Sequence, residues 1–310
     1  MKKTCSVIRG GALVGLMLLH GFTGAPARAQ GEPPARPAAI RSPFPLAEFA
    51  ELLQGLYARP VTYEDALLVW RGDQDEAPAT GKPRLKSRLF TVPDGLSPAQ
   101  APRLDAALVR RALDAYHQQN DGPRFDVRES SMGVHIVPAR VAGTDGQLAP
   151  SVNILDSVIT VPPARRTPTE HFAALCAALT VSSGVAIPLN FNWGLAPLET
   201  LFLPNGNMPP RGPWTAAQGD SLAFEWGAPG VPAQEALISL LGSSSTTLSW
   251  ELRCRAGEGR QGRTCILSVV TISLAQTLPN GSIAVGPPLL YDRCTNCPKL
   301  GQPPTPLVKK

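Results

Sequence analysis

Thr167-Pro168-Thr169-Glu170-His171-Phe172-Ala173-Ala174-Leu175-Cys176-Ala177-Ala178-Leu179 is the stretch on which the fold turns. Thr167 is a residue that caps free helix amides, Pro168 suits the first helical position, and Glu170 stands three residues beyond the cap. Phe172, Leu175, Cys176 and Leu179 then fall at i, i+3, i+4 and i+7, one apolar stripe on one side of a helix. Gly184 closes the helix, and Val185-Ala186-Ile187-Pro188-Leu189 reads as the strand after it. In front lies another strand-like run, Ile154 to Val161, which Pro162-Pro163 is expected to end.

The same signals continue in both directions. After a Pro/Gly-rich insertion at about 190–220, Ser221 to Trp226 alternates apolar and polar residues, and Ala233 to Leu241 makes a short helix with Leu237, Leu240 and Leu241 on one side. Leu248 to Cys254 and Cys265 to Ile272 then read as two strands around a Gly- and Arg-rich loop. Upstream, Leu46, Phe49, Leu53 and Leu56 mark a helix, followed by short strands at Val61-Thr62-Tyr63 and Arg88-Leu89-Phe90-Thr91-Val92. A helix is expected from Arg103 to about Gln118. A hairpin then pairs Phe125-Asp126-Val127 with Val134-His135-Ile136-Val137 around Ser130-Ser131-Met132-Gly133.

Each block reads helix, strand, strand, helix, strand, strand. The expected fold class is α+β: two similar small helix-on-sheet modules, each with two helices and a terminal β-hairpin. They occupy 44–141 and 151–275, the second carrying the insertion.

Two helical segments carry a resemblance. Phe172-Ala173-Ala174-Leu175-Cys176-Ala177-Ala178-Leu179 with Ser183-Gly184-Val185-Ala186-Ile187, and Ala233-Gln234-Glu235-Ala236-Leu237-Ile238-Ser239-Leu240-Leu241 with Leu248-Ser249-Trp250-Glu251-Leu252, resemble the short N-terminal periplasmic module of secretins and TonB-dependent receptors (the STN module). The resemblance spans 154–273 and, more loosely, 44–138; it rests on packing residues and implies an STN-like unit in the cell envelope, in tandem. No secretin pore domain or outer-membrane barrel follows it, so it implies no transport by this chain. The whole chain also resembles a type of secreted bacterial protein through Thr62-Tyr63-Glu64-Asp65, Val134-His135-Ile136-Val137-Pro138 and Leu248-Ser249-Trp250, a resemblance that carries no function.

The N-terminus reads as an export signal over 1–29: Lys2, Lys3 and Arg9, an apolar run from Gly11 to Leu19, then Ala27-Arg28-Ala29. That run is too short to span a bilayer. The expected location is therefore secreted or periplasmic, with no membrane span after signal removal. Residues 30–43, rich in Pro, Ala and Arg, read as a flexible leader, and 276–310 as a Cys-x-x-Cys segment with a loose tail. Four of the 29 basic residues and none of the 24 acidic ones lie in the signal, which leaves 25 against 24 beyond it. That balance does not support a nucleic-acid footprint. The run Lys82-Pro83-Arg84-Leu85-Lys86-Ser87-Arg88 reads as a solvated loop.

Cysteines in an oxidising compartment point to disulfides. Cys254 and Cys265 sit on the two strands of the last hairpin, positioned for a cross-strand bond. Cys294-Thr295-Asn296-Cys297 is a lone C-x-x-C, open to a local disulfide, a metal site or a redox pair. Links to other cysteines are open as well; tetrahedral zinc would want four ligands and no second C-x-x-C exists, and with no His after Cys297 c-type haem attachment is not indicated. Cys176 lies on an apolar stripe and reads as a buried free thiol.

Catalytic signatures are weak. His117, His135 and His171 form no ligand spacing; His135 is expected to face outward from its strand and His171 to sit at the surface. The pair Glu64-Asp65 and the stretch Asp73-Gln74-Asp75-Glu76 read as solvated turns, Ser243-Ser244-Ser245 as a loop, and Arg255 to Gly262 as a hairpin tip. Trp193, Phe202 and Trp214 are candidates for a contact surface or for core. The expected function is a non-catalytic binding or scaffold protein with an unknown protein partner in the cell envelope, and no cofactor or metal. The alternatives are a secreted hydrolase, with His135, Glu64 and Asp65 as first candidates, and a thiol–disulfide protein using Cys294 and Cys297.

Overall fold

Alternation of buried and exposed residues lays out the strands, and their pairing joins the two sequence blocks in one sheet. A computed structural model of the chain describes residues 39–66, 74–75, 84–96, 98, 100–142, 146–191, 198–202, 222–255, 264–277 and 283–288. Its architecture is mixed α/β, in agreement with the expected α+β class.

The first block runs β1 (Ala39–Ser42), α1 (Pro45–Tyr57), β2 (Val61–Glu64), β3 (Gln74–Asp75), β4 (Arg84–Leu85), β5 (Arg88–Thr91), α2 (Ala106–Gln119), β6 (Arg124–Glu129) and β7 (Val134–Ala142). The short strand β8 (Leu148–Pro150) and a 3-10 turn, Ile154–Asp156, lead to the second block. That block runs β9 (Val158–Arg166), α3 (Pro168–Ser183), β10 (Leu189–Phe191), a 3-10 turn at Leu198–Phe202, β11 (Phe224–Pro232), α4 (Ala233–Leu241), β12 (Leu248–Arg255) and β13 (Thr264–Thr271). A final pair, β14 (Ser273–Thr277) and β15 (Ile283–Pro288), packs its first strand against α1.

The main sheet is ordered β10-β13-β12-β2-β7-β6, with β8 added to β7. In the first block β2 is parallel to β7, which is antiparallel to β6; in the second β10 is parallel to β13, which is antiparallel to β12. A two-stranded antiparallel ribbon flanks each: β1 with β5, and β9 with β11. The blocks meet where β12 runs parallel to β2, with Glu251 beside Tyr63 and Leu252 beside Glu64.

Adjacent residues of parallel strands share a face, so this register has a consequence. Val61, Tyr63, Val134 and Ile136 face the core beneath α1 and α2. Leu248, Trp250, Leu252, Leu267 and Val269 face the core with α3 and α4. Since Leu252 lies beside Glu64 and not beside Tyr63's face, the two cores sit on opposite sides of the one sheet.

Local chemistry accounts for the helices. Thr167 Oγ1 accepts from the Glu170 amide and Glu170 Oε2 accepts from the Thr167 amide at 2.8 Å, the expected capping box. Phe172, Leu175, Cys176 and Leu179 are all buried. Helix α2 starts at Ala106, later than expected, because Asp105 accepts from the Leu108 amide at 2.8 Å and so fixes the cap. The strand expected to end at Pro162-Pro163 instead continues to Arg166. Among the described residues it pairs with β11 alone, so its prolines interrupt no described ladder on the other side. The pairing shifts between Trp226 and Ala228, where a Cβ on Gly227 would stand 2.7 Å from Pro163 main-chain atoms.

Candidate functional site

The residues with chemical potential gather where β2 passes between β7 and β12. Alternation along β2 sends Thr62 and Glu64 to the face opposite Val61 and Tyr63. Parallel pairing sets Thr62 beside His135. His135, expected to face outward, is 1% exposed: its outward face is covered by Trp250 of β12, stacked with ring centroids 5.2 Å apart. The tight β6–β7 turn brings Ser130 onto the same ring. This turn needs Gly133, where a Cβ would stand 2.2 Å from the Pro60 carbonyl oxygen.

Three side chains form a relay. His135 Nδ1 lies 2.8 Å from Thr62 Oγ1, and His135 Nε2 lies 2.7 Å from Ser130 Oγ. Ser130 Oγ accepts the Met132 amide at 3.1 Å and the Gly133 amide at 3.4 Å. Its own hydrogen is thereby directed to Nε2, and Nδ1–H donates to Thr62. Burial, then the positive charge of Arg128, pushes the His135 pKa down to about 4, so the ring is neutral. A general base works best with a pKa near the operating pH. This imidazole is far too acidic when protonated, and the serine's lone pairs are already engaged.

Glu64, expected in a solvated turn, is 3% exposed. Its Oε1 accepts the Leu155 amide at 3.2 Å, so the segment joining the blocks is latched over this face. Arg128 closes the rim on Asp156, with Nη2 2.9 Å from Oδ2. Burial pushes the Glu64 carboxyl up to about 7, against the Leu155 and Ile154 amides. Asp65 is on the other side of the strand with Tyr63, whose hydroxyl donates to Oδ1 at 3.0 Å. Oδ2 accepts the Cys254 amide of β12 at 3.2 Å. Its residue keeps some exposure but the carboxyl is enclosed, and burial raises it to about 6. The structure therefore brings Glu64 to the His135 face and separates Asp65 from both.

Sequence reasoning did not single out Glu251. It is buried on β12 beneath α1, with Oε2 2.7 Å from Arg253 Nη2. Burial raises its carboxyl to about 7, opposed by Arg253 and reinforced by Glu51. His171, expected at the surface, is fully buried. The first turn of α3 turns inward against β11, where His171 Nε2 donates to the Phe224 carbonyl at 2.8 Å and burial lowers its pKa.

Cys254 and Cys265 are directly opposed in the β12–β13 ladder and form a disulfide. Cys176 is a buried free thiol, pushed up to about 12 by burial. Cys294 and Cys297 lie outside the described residues, as do Trp193 and Trp214, while Phe202 is core. The loop Ser243–Ser245 turns back on itself, with Ser245 Oγ donating to the Leu201 carbonyl at 2.8 Å. Among the described residues, no cluster of His, Cys, Asp and Glu is placed to hold a metal, and no helix is long and apolar enough to cross a membrane.

Sheet ends matter for an expected edge-binding module. On β6, the Phe125 amide donates to His117 Nε2 at 3.0 Å, the Val127 amide to Asp126 Oδ1 at 2.7 Å, and Arg110 Nη2 to the Val127 carbonyl at 2.9 Å. Beyond β10, the Ile187 amide donates to Thr180 Oγ1 at 3.1 Å. Side chains thus occupy main-chain groups that an added strand would need. No family model matches the chain, and neither a curated protein nor a solved structure matches it.

Proposed function

We propose that this chain is an exported, non-catalytic binding or scaffold protein built from two like STN-type α+β units joined edge to edge. The repeated pairing supports the two-unit reading: β1–β5 answers β9–β11, β2–β7 answers β10–β13, and β6–β7 answers β12–β13. Pro45 and Pro168 open the corresponding helices, and Phe49 and Phe172 follow each by the same interval. With β12 parallel to β2 and the cores on opposite faces, a half-turn about an axis across the strands carries one unit onto the next.

The observation that carries the non-catalytic reading is the internal use of every catalytic residue type gathered at the β2 strand. Ser130, His135 and Thr62 satisfy one another, Glu64 holds two amides, and Asp65 ties β2 to β12. The disulfide suits an oxidising location. Side chains bonded to main-chain groups of β6 support partner contact through helical faces and loops rather than through a strand added at that edge.

Purified chain offered ester, peptide and glycoside substrates should turn none over, and a fluorophosphonate should leave Ser130 unlabelled. N-terminal sequencing from envelope fractions should begin at Gln30. Labelling that disappears in Ser130→Ala would instead establish a secreted hydrolase, the reading that the 2.7 Å Ser130–His135 contact favours.

A further inference from the structure

The Cys254–Cys265 disulfide stands in a row that crosses the sheet from one block to the other. Each half-cystine has its amide bonded away from the hairpin. The Cys254 amide donates to Asp65 Oδ2, at the end of β2, at 3.2 Å. The Cys265 amide donates to the Ala186 carbonyl, in the connection from α3 to β10, at 3.0 Å. Asp65 is bonded to β12 a second time, its own amide donating to the Leu252 carbonyl at 2.8 Å. The disulfide is thus the covalent middle of a line that runs Asp65, Cys254, Cys265, Ala186.

The pairings on the two sides of β12 differ in extent. With β13 it is paired along the whole of Leu248–Arg255, 8 residues. With β2, among the described residues, it is paired where Glu251 meets Tyr63 and Leu252 meets Glu64. At one end of this short junction Ser249 Oγ donates to the Val61 carbonyl at 3.3 Å and Trp250 stacks on His135. At the other end the Asp65 bonds stand beside the disulfide.

We infer that this disulfide is a redox-operated clasp on the junction of the two blocks: intact, it holds the Asp65 end of β2 against β12; reduced, it releases that end while the β12–β13 hairpin and the Ser249 end stay paired. It rests on the observed bonds and not on the two-unit or non-catalytic reading. The reductant is a dithiol, and the reaction is two thiol–disulfide exchanges. One reductant thiol, as thiolate, attacks a cysteine sulfur, forms a mixed disulfide and releases the other cysteine. The second reductant thiolate then displaces the first cysteine. Two electrons and two protons pass to the chain, which keeps two thiols, and the reductant leaves as a disulfide. The freed sulfurs are no longer bonded and need van der Waals separation, yet both lie in a closed core. A close-packed interior takes up added volume by moving side chains and backbone. The strands therefore part at Cys254 and Cys265. The long ladder with β13 absorbs that shift at its end, whereas the Asp65 end of β2 depends on where the Cys254 amide stands.

Amide hydrogen exchange of the full-length chain, before and after dithiothreitol, tests this, with alkylation and mass mapping of the released thiols. Cys254 and Cys265 should become alkylated while the chain stays folded. Protection at the Asp65 and Cys254 amides should fall at least about tenfold, while the Val134 amide, bonded to the Pro60 carbonyl inside the first block, changes by less than about threefold. A chain carrying Cys294→Ser and Cys297→Ser should respond in the same way. Alkylated Cys254 and Cys265 with unchanged protection at Asp65 would overturn the inference, since the disulfide would then staple its hairpin alone. So would an equal fall at Val134, which would mean unfolding rather than release of a joint, or a disulfide that resists the dithiol in the folded chain. A response lost in the Cys294→Ser, Cys297→Ser chain would also overturn it. The parent measurement decides even where that variant fails to fold.

Discussion

The two hairpins that end the blocks, β6–β7 and β12–β13, solve one problem by different chemistry. In β12–β13 the strands close on a disulfide between directly opposed cysteines, with both sulfurs in the core. In β6–β7 the strands close on a tight turn whose Ser130 hydroxyl gathers two amides and His135. The covalent hairpin owes its tie to the redox state of its surroundings. The polar one owes it to a neutral imidazole and therefore to pH. His135 also stacks on Trp250 of the other hairpin, so the polar tie is completed across the junction.

Four experiments would break or sharpen this contrast. The largest effect is expected from the double change Cys254→Ala with Cys265→Ala, which should lower unfolding stability by about 3 kcal/mol, read from urea midpoints under oxidising conditions. Dithiothreitol should then affect the parent and leave the variant unmoved. Next, His135→Ala removes the imidazole partner of Thr62 and of the Ser130 hydroxyl hydrogen and leaves a gap beside Trp250, for a loss of about 2–3 kcal/mol and a change in tryptophan emission.

The third is acid dependence. The unfolded chain protonates His135 near 6.5 and the folded chain near 4, so this residue's stabilisation is present above 6.5 and is lost as pH falls to 4. The loss is of the order of 3 kcal/mol, and His135→Gln should lack that part of the pH profile. An unchanged profile would show that the ring already carries a charge. The smallest effect belongs to Ser130→Ala, about 1 kcal/mol, because the main-chain turn around Gly133 remains. A loss as large as that of His135→Ala would put the serine at the centre of the tie.

Elements with a local cause were legible in the sequence. The capping box at Thr167, the stripe of α3, the limits of Ala233–Leu241 and the opposed cysteines all depend on residues close in sequence or on one hairpin. The environments of Glu64, His135 and His171 were not, because period-two alternation tells which residues share a face and not what covers it. A polar face normally meets solvent; here Trp250 and the Ile154–Asp156 segment arrive from residues more than 80 positions away from β2. The Pro162-Pro163 stop failed similarly, since an edge strand with Gly227 opposite accommodates both prolines. A signal for Glu64 did exist: it directly continues the β-forming run Val61-Thr62-Tyr63.

By itself the sequence determined the helices, most described strands, the Cys254–Cys265 disulfide and the α+β class, since capping, periodicity and short-range geometry act within a few residues. Only the tertiary structure decided that β12 would lie beside β2, that the cores would take opposite faces, and that acids and an imidazole would be enclosed at the join. Those outcomes depend on register between strands from different blocks, where a shift of one residue exchanges every buried side chain for an exposed one.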